Sequence, residues 1–261
     1  MNREETLEYI KNHGILPESK FGQNFLCDEE IIEAIVELST ADVNDKVLEI
    51  GPGIGALTRA YRDADIDITA IEIDKRLAQY LSDEGFNIIV SDYTKLIAED
   101  YNPESYTVAV SNIPYYVMTP IMIKMMSDLS NCRKMTFMVE DAAIDRIDAR
   151  PGTKQYGPLA VISSVYGEFQ REFTVPSNCF IPAPHTTSAV ITLTRRDEDD
   201  FVVNNTFAQF VTKCFMNRRK KLTNTVPEAK EALIKLNLDS NIRAEQVTPE
   251  QFKLLYDIIY S

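Results

Sequence analysis

Short apolar segments that recur at nearly constant intervals restrict the fold of this chain more than any other feature. Helical patterns separate most of these segments from one another. They cover residues 46–50, 68–73, 87–90, 107–110 and 135–139. Short apolar strands that alternate with helices are typical of a parallel sheet with helices on both faces. We therefore predict an α/β fold for this part of the chain.

The pattern changes after the fifth apolar segment. Residues 169–175 and 189–194 alternate apolar and polar side chains, as antiparallel strands at the edge of a sheet do. Residues 195–200 are all charged, and the chain beyond them shows helical periodicity only. We predict two domains: an α/β domain over residues 1–196, and a small all-α domain over residues 197–261.

Composition argues against several classes of protein. The 261 residues include four widely spaced cysteines and two histidines, which argues against a zinc site and against a disulfide framework. No apolar run approaches the roughly 20 residues of a membrane helix. The polar start, residues 1–5, does not resemble a secretory signal. We expect a cytoplasmic protein with no metal site and no membrane contact.

The charge of the chain disfavours a nucleic-acid partner at first sight. The formal net charge is −13, whereas proteins that bind phosphates are usually basic on at least one face. Residues 213–221, however, carry five bases and no acid. These bases are Lys213, Arg218, Arg219, Lys220 and Lys221. The cluster is either a solvated helix face or an anchor for phosphates that would position RNA without reading its sequence.

A glycine-rich loop follows the first predicted strand. In Glu49-Ile50-Gly51-Pro52-Gly53-Ile54-Gly55, glycines stand at alternate positions, so the backbone could approach a ligand closely. The loop has neither the spacing of a dinucleotide-binding loop nor the Lys-Ser/Thr pair of a P-loop. Taken alone, it predicts either a nucleotide-like ligand or only a tight strand–helix turn.

Polar side chains follow the next predicted strands at regular intervals. Glu72 lies 23 residues after Glu49, and Asp92 and Asn112 follow at intervals of 20 residues. We therefore expect all of them along the carboxyl edge of one sheet, where open α/β folds bind ligands. Glu72 suits a ribose diol, because a carboxylate accepts from two hydroxyls at once, and Asp92 suits an adenine amine. Each acid taken singly could also be a surface carboxylate.

The most specific motif is Asn112-Ile113-Pro114-Tyr115-Tyr116. An adenine N6 is a poor nucleophile because its lone pair is delocalised into the ring. The amide oxygen of Asn112 and the carbonyl of Ile113 could both accept from that amine and make it more tetrahedral. Pro114 would hold the carbonyl rigid, and Tyr115 would stack on a base splayed out of its helix. The alternative is a turn that merely packs.

Together these motifs resemble the rRNA adenine N6-dimethyltransferase family, in particular its small-subunit branch linked to kasugamycin sensitivity, over nearly the whole chain. The resemblance implies a Rossmann-like class I methyltransferase fold. Such a fold has a mostly parallel seven-stranded sheet with an antiparallel edge, followed here by a small C-terminal all-α domain. The resemblance also implies that S-adenosyl-L-methionine is the cofactor. The implied reaction is dimethylation of N6 on two adjacent adenines of small-subunit rRNA during ribosome maturation. The basic run at residues 215–222 is similar to a signature of the same branch.

The resemblance also assigns roles to individual residues. Residues 21–26 resemble the family's opening motif, which contacts the methionine end of the cofactor, and Phe180 would cover the face of the target adenine opposite Tyr115. The residues expected to bind the cofactor are Gln23, Asn24, Leu26, Glu49, Gly51, Gly53, Glu72, Ile73, Asp92, Tyr93 and Asn112. Those expected to act on the adenine are Asn112, Ile113, Pro114, Tyr115 and Phe180. Those expected to bind RNA are Lys213, Arg218, Arg219, Lys220 and Lys221.

Three stretches depart from the family pattern, all on the expected RNA side. The family's Met-x-Gln-x-Glu stretch appears here as Met138-Val139-Glu140-Asp141-Ala142, which places carboxylates where neutral or mixed groups are expected. Pro158 replaces an arginine. Residues 185–188 differ from the usual basic–valine–acidic–serine run. The loss of a cation or the gain of an anion near a phosphate path would weaken RNA binding.

Three hypotheses for the function follow. The preferred one is dimethylation of small-subunit rRNA, with that rRNA or the precursor of the small subunit as partner and a monomer as the active form. The second is a diverged paralogue that methylates another RNA or a small-molecule amine. The third is a non-catalytic ribosome-assembly factor, against which the intact Asn112–Tyr115 motif counts, because binding alone does not require it.

Overall fold

The computed structural model describes residues 1–18, 21–196 and 201–260. Within these ranges the chain forms nine strands and eleven α-helices. The strands are β1 (Phe25–Leu26), β2 (Lys46–Ile50), β3 (Asp67–Glu72), β4 (Asn87–Val90), β5 (Val108–Asn112), β6 (Lys134–Glu140), β7 (Gly167–Val175), β8 (Phe180–Ile181) and β9 (Ser188–Arg195). The helices are α1 (Arg3–Asn12), α2 (Glu29–Ser39), α3 (Ala56–Asp63), α4 (Lys75–Asp83), α5 (Ala98–Tyr101), α6 (Met118–Asp128), α7 (Pro158–Tyr166), α8 (Asn205–Phe215), α9 (Leu222–Thr225), α10 (Ala229–Lys235) and α11 (Pro249–Tyr260).

Seven of the strands form one sheet in the order β4-β3-β2-β5-β6-β9-β7. The strands from β4 to β6 are parallel, whereas β9 pairs antiparallel with both β6 and β7. Each of the five predicted apolar strands and both predicted edge strands is present, within one or two residues of its expected ends. The predicted mostly parallel sheet with an antiparallel edge is confirmed.

Helices cover both faces of the sheet because consecutive side chains of the central strands, which point to opposite faces, are mostly apolar. Val47 packs with side chains of α2 and α3 on one face, and Leu48 packs with side chains of α6 and α7 on the other. Both residues are fully buried. The entry to α2 is fixed by Asp28, whose carboxylate accepts from the Ile31 backbone N–H at 3.2 Å.

The C-terminal helices pack against the outer side of α6 and α7. Phe207, Phe210 and Phe252 are fully buried in the same hydrophobic core as Met122 of α6. The all-α character predicted for this part of the chain holds across residues 201–260. The boundary predicted at residues 196 and 197 adjoins residues 197–200, which lie outside the described residues, and the division into two domains stays a prediction.

A pair of short strands was not expected from the sequence. β1 and β8 pair antiparallel, with Phe25 opposite Ile181 and Leu26 opposite Phe180. The Cys27 backbone N–H extends the pairing by donating to the Cys179 carbonyl at 2.9 Å. This pair brings the N-terminal segment to the loop that carries Phe180.

Candidate active site

A cavity of about 540 Å³ lies at the carboxyl edge of the parallel strands. Its volume is in the range of small-molecule and cofactor sites. The loops after β2, β3, β4 and β5 line it, and the segment at residues 21–26 closes one side. The structure thus brings the expected cofactor-binding residues together around one space. These are Gln23, Asn24, Leu26, Glu49, Gly51, Gly53, Glu72, Ile73, Asp92, Tyr93 and Asn112.

The glycine loop passes close to its neighbours at two positions. Gly53 has φ +60°, and a Cβ there would lie 3.2 Å from the Phe25 ring. Gly55 has φ +85°, and a Cβ there would lie 2.6 Å from the Leu81 side chain. Both positions therefore favour glycine for backbone conformation and for space.

Glu72 is bound to the glycine loop by its carboxylate. One oxygen accepts from the Gly53 backbone N–H at 3.0 Å, and the other accepts from the Asp74 backbone N–H at 2.8 Å. Burial raises the pKa of Glu72 to about 6, and these backbone hydrogen bonds oppose the rise. Each oxygen keeps a second lone pair for another donor. The carboxylate fits a ribose diol that enters the cavity.

Glu49 lies deeper, beneath the same loop. Its carboxylate is almost fully buried and accepts from the Thr58 hydroxyl of α3 at 2.6 Å. Burial raises the pKa of Glu49 to about 7; the Thr58 hydrogen bond opposes this, and the Glu72 charge adds to it. Glu49 thus links β2 to α3 behind the loop, and direct contact with a cofactor stays a prediction.

Asp92 lies on the wall of the cavity, just after β4. Its carboxylate accepts from the Thr94 backbone N–H at 3.1 Å and from the Thr94 hydroxyl at 2.7 Å. The hydrogen bond from Thr94 is the main cause of a lowered pKa of Asp92. The Lys95 ammonium, 3.1 Å from the Asp92 carboxylate, lowers this pKa further. A charged, oriented carboxylate at this place fits the amine of an adenine ring. The Tyr93 ring is buried in the core beside it, and Ile73 is half-exposed at the rim.

The segment at residues 21–24 connects the two halves of the cavity. The Gln23 amide donates to the Asp74 carboxylate at 2.9 Å on the β3 side. On the β5 side, a Cβ on Gly22 would lie only 2.9 Å from the Pro114 ring. The Asn112 amide nitrogen donates to the Asn24 carbonyl at 3.4 Å. Because that nitrogen is used, the Asn112 amide oxygen remains available to accept from an amine.

The remaining predicted catalytic residues surround the same space. Ile113 and Pro114 line the cavity, and the Ile113 backbone N–H donates to the Met138 carbonyl at 3.0 Å, which fixes the strand end. Phe180 is almost fully buried beside Leu26 and forms part of the wall. The Tyr115 side chain lies outside what the structure describes, and its stacking role stays a prediction.

Comparisons with known proteins agree on one family. The chain matches the family "Ribosomal RNA adenine dimethylase" over residues 17–261. It is 35% identical to a ribosomal RNA small subunit methyltransferase A of Lysinibacillus sphaericus, over 98% of this chain and 95% of that protein. It is 38% identical to a protein of the same name from Listeria monocytogenes, over 87% of this chain and 82% of that protein.

The chain belongs to the ribosomal RNA adenine dimethylase family. The resemblance stated from the sequence is confirmed. The predicted activity, that of an S-adenosylmethionine-dependent RNA methyltransferase, is confirmed with it. Two solved structures share its fold. The first is a dimethyladenosine transferase from Plasmodium falciparum, with a TM-score of 0.68 and 19% identity over 90% of this chain and 96% of that one. The second is the 23S rRNA methyltransferase ErmE, with a TM-score of 0.60 and 24% identity over 91% of this chain and 100% of that one. They confirm the predicted class I methyltransferase fold.

Several residues that line the cavity were not predicted as site residues. Tyr116 is exposed at the rim; it is the last residue of the motif that the sequence singled out, but no role was assigned to it. Glu140, Thr186 and Ser188 line the opposite side. Glu140 and the loop at residues 185–188 were noted only as departures from the family pattern, and their place in the cavity depends on how β6 pairs with β9.

The five bases of the basic run differ in their surroundings: two are ion-paired with acids and three are exposed. Lys213 is ion-paired with Glu228 at 2.7 Å, and Arg218 with Glu245 at 3.0 Å. Arg218 also donates to the carbonyls of Lys154 and Thr153, so it joins the C-terminal helices to the loop before α7. Arg219, Lys220 and Lys221 are exposed. A role in RNA binding stays a prediction for all five bases.

Two further observations concern sites of other kinds. Across residues 1–18, 21–196 and 201–260, no group of three or more His, Cys, Asp and Glu side chains is arranged to hold a metal ion. All four cysteines are buried and free. In the same ranges, no helix has the length and apolar character needed to cross a membrane.

Proposed function

We propose that this protein transfers two methyl groups to N6 of each of two adjacent adenines in small-subunit rRNA, during maturation of the small ribosomal subunit. The observation that carries the proposal is the shared cavity. The Asn112–Pro114 turn lies in the same space as Glu72 and Asp92, so an adenine acceptor and a nucleoside cofactor would meet there. The relatives named as small subunit methyltransferases support the choice of RNA.

The cofactor supplies a methyl group that its sulfonium already activates, so the protein contributes alignment above all. Glu72 would accept from the two ribose hydroxyls, and Asp92 from the adenine amine of the cofactor. The segment at residues 21–24 would close over the ligand and exclude water.

The other half of the cavity would hold the acceptor base. The Asn112 amide oxygen and the Ile113 carbonyl would accept from N6 and turn its lone pair toward the methyl group. Tyr115 and Phe180 would hold the two faces of a base flipped out of its helix, where each stacking contact is worth roughly 1–3 kcal/mol. Outside the cavity, Arg219, Lys220 and Lys221 would contact phosphates as part of a monomeric cytoplasmic enzyme.

One observation favours a second candidate, a diverged enzyme that methylates another RNA or a small amine. Glu140 places a carboxylate inside the cavity of a chain that already carries a net charge of −13, which disfavours a polyanion. The third hypothesis, a non-catalytic assembly factor, conflicts with membership of a family of enzymes.

Labelled S-adenosylmethionine distinguishes these candidates. The enzyme is incubated with under-methylated small subunits, with free rRNA and with small amines, and the labelled nucleosides are separated. We expect label in N6,N6-dimethyladenosine, and more of it from subunits than from free RNA. Label that reaches only small amines, or only another RNA, would reject the proposed substrate.

A further inference from the structure

Asp74 is a buried acid beside the cavity that the mechanism above does not use. It follows β3 and is the N-cap of α4, where its carboxylate accepts from the Arg76 backbone N–H at 3.0 Å. Its side chain is only 4% exposed. Asp74 is not among the described residues that line the cavity, so any effect that it has on a ligand must pass through its neighbours.

Two of those neighbours line the cavity. The Asp74 backbone N–H donates to the Glu72 carboxylate at 2.8 Å, and the Asp74 carboxylate accepts from the Gln23 amide nitrogen at 2.9 Å. Glu72 is the acid that would hold the ribose, and Gln23 belongs to the segment at residues 21–24, which closes one side of the cavity. One buried residue therefore connects the ribose acceptor with the segment that would cover the ligand.

The two oxygens of the Asp74 carboxylate have different partners. One accepts from the Arg76 backbone N–H and from its Nε, at 3.0 and 3.1 Å. The other accepts from the Gln23 amide and from Arg76 Nη2, at 2.9 and 2.8 Å. Burial disfavours the charged form, but the hydrogen bonds from Arg76 and Gln23 outweigh it and lower the pKa of Asp74 to about 2. The first oxygen alone would be enough to cap α4, whereas the second oxygen joins Gln23 to the helix.

The amide of Gln23 is hydrogen-bonded at both ends. Its nitrogen donates to Asp74, and its oxygen accepts from the Glu18 backbone N–H at 2.8 Å. The Glu18 carboxylate also forms an ion pair with Arg76, which Asp74 holds in turn. Two connections from the N-terminal part of the chain thus meet at Asp74. These bonds give Gln23 a role in placing its segment, in addition to the contact with the cofactor that the family resemblance implies for this region.

We propose that Asp74 is a positioning residue that holds the segment at residues 21–24 over the bound cofactor. With the segment held in place, the cofactor leaves the cavity slowly. Without the bond from Asp74, the segment opens more often and the cofactor escapes sooner. The inference concerns the binding of S-adenosylmethionine and does not depend on which adenine receives the methyl group.

Asp74→Ser separates this role from the capping of α4. Serine is a good N-cap and can still accept from the Arg76 backbone N–H, but it has no second oxygen to hold Gln23. Asp28→Ser is the matched control, because Asp28 caps α2 through the Ile31 backbone N–H and is not among the described residues that line the cavity. Calorimetry gives the Kd for S-adenosylmethionine, and a chase of labelled cofactor with unlabelled cofactor gives its dissociation rate.

We expect Asp74→Ser to raise the Kd roughly tenfold, mainly through faster dissociation, and Asp28→Ser to leave it within about twofold. At saturating cofactor, the single-turnover rate of transfer to under-methylated small subunits should stay within about threefold of wild type, because the groups that would hold the amine are unchanged. Amide hydrogen exchange of residues 21–24 should be faster in Asp74→Ser, while that of β5 should match wild type.

Gln23→Ala completes a double-mutant cycle with Asp74→Ser. If Gln23 acts through Asp74, the two changes together should raise the Kd about as much as either change alone, which is roughly tenfold. Effects that multiply to roughly 100-fold would show that the two residues act independently, and this result would overturn the inference.

An Asp74→Ser Kd within about twofold of wild type would also overturn the inference. So would a single-turnover rate that falls as far as the affinity and does not recover at saturating cofactor, because such a loss would indicate a general structural role. If the wild-type enzyme binds S-adenosylmethionine but methylates no adenine of small subunits, the proposed substrate fails, and the calorimetric cycle still tests Asp74.

Discussion

At the scale of a single residue, we predict that the carboxylate of Glu72 makes cofactor binding sensitive to pH. Burial raises its pKa to about 6, and only the charged form would accept from both ribose hydroxyls. Affinity for the cofactor should therefore fall as the pH drops through 6. At pH 5 about a tenth of the carboxyl is charged, so the Kd should rise about tenfold over its value at pH 8.

Calorimetric titration of the cofactor between pH 5 and pH 8 checks this dependence. Glu72→Gln should bind more weakly and lose most of the pH dependence. A wild-type affinity that stays flat down to pH 5 would show that Glu72 does not act as the charged acceptor.

The raised pKa of Glu49 predicts that pH affects the stability of the fold rather than cofactor binding. Its pKa is raised from 4.5 to about 7, so the folded protein favours the protonated form. The stability contributed by that preference is present below pH 4.5 and is lost as the pH rises through 7. At pH 8 the buried charge is a cost, and Glu49→Gln should remove part of it while keeping the hydrogen bond from Thr58.

Urea unfolding of Glu49→Gln and wild type at pH 5 and pH 8 measures the effect. We expect the variant to have the higher free energy of unfolding at pH 8, by at most about 3 kcal/mol, and the difference to shrink toward pH 5. A difference of the same size at both pH values would contradict the account.

At the scale of elements, the segment at residues 21–24 depends on close packing at Gly22. Gly14 and Gly22 have nearly the same backbone, with φ +60° and φ +62°. A Cβ on Gly14 would meet no atom within 4 Å, whereas one on Gly22 would lie 2.9 Å from Pro114. Gly14→Ala and Gly22→Ala therefore share the backbone cost and differ in the clash.

Gly22→Ala should push the segment away from Pro114 and weaken cofactor binding by roughly tenfold, and Gly14→Ala should leave it within about twofold. Isothermal titration of both variants with S-adenosylmethionine provides the comparison. Equal affinities for the two variants would show that the contact with Pro114 does not position the segment.

The elements that the sequence predicted well are those whose side chains repeat a pattern. The strands of the main sheet are apolar and regularly spaced because both faces are buried, and each one was found. Because the carboxyl ends of parallel strands share one edge, the spacing of Glu72, Asp92 and Asn112 also predicted their meeting at one cavity. Helix α1 was missed, although its capping box of Asn2 and Glu5 is a recognisable sequence signal.

Other features have no local signal. β1 and β8 are two residues long and more than 150 residues apart, so neither periodicity nor turn chemistry reveals their pairing. The ion pairs of Lys213 and Arg218 likewise join residues that are distant in sequence. The position of Glu140 inside the cavity depends on tertiary register, and the sequence alone showed only an unexpected acid.

At the scale of the whole molecule, we predict that this acidic chain binds its RNA through a small basic area. Residues 201–261 contain nine bases and six acids, whereas the chain as a whole has a net charge of −13. The exposed part of the basic run should therefore carry most of the salt dependence of RNA binding.

Arg219→Gln/Lys220→Gln removes two charges from this run, and Lys230→Gln/Lys235→Gln removes two exposed charges elsewhere in the C-terminal helices. We expect the first pair to reduce the slope of log K against log salt by roughly 1.5, and the second to leave it unchanged. Filter binding of small subunits at several salt concentrations gives both slopes. The same slope for both variants would reject the run as the phosphate anchor.

The most direct test of the central claim compares catalysis and cofactor binding in Asn112→Ala. If the Asn112 amide activates adenine N6, the variant should lose transfer to small-subunit adenines by at least about 100-fold, because alignment of the amine is lost. Its Kd for S-adenosylmethionine, measured by calorimetry, should stay within about threefold of wild type, since Glu72 and the glycine loop are intact. Retention of transfer would contradict the claim, and loss of transfer and cofactor binding together would show that Asn112 is structural.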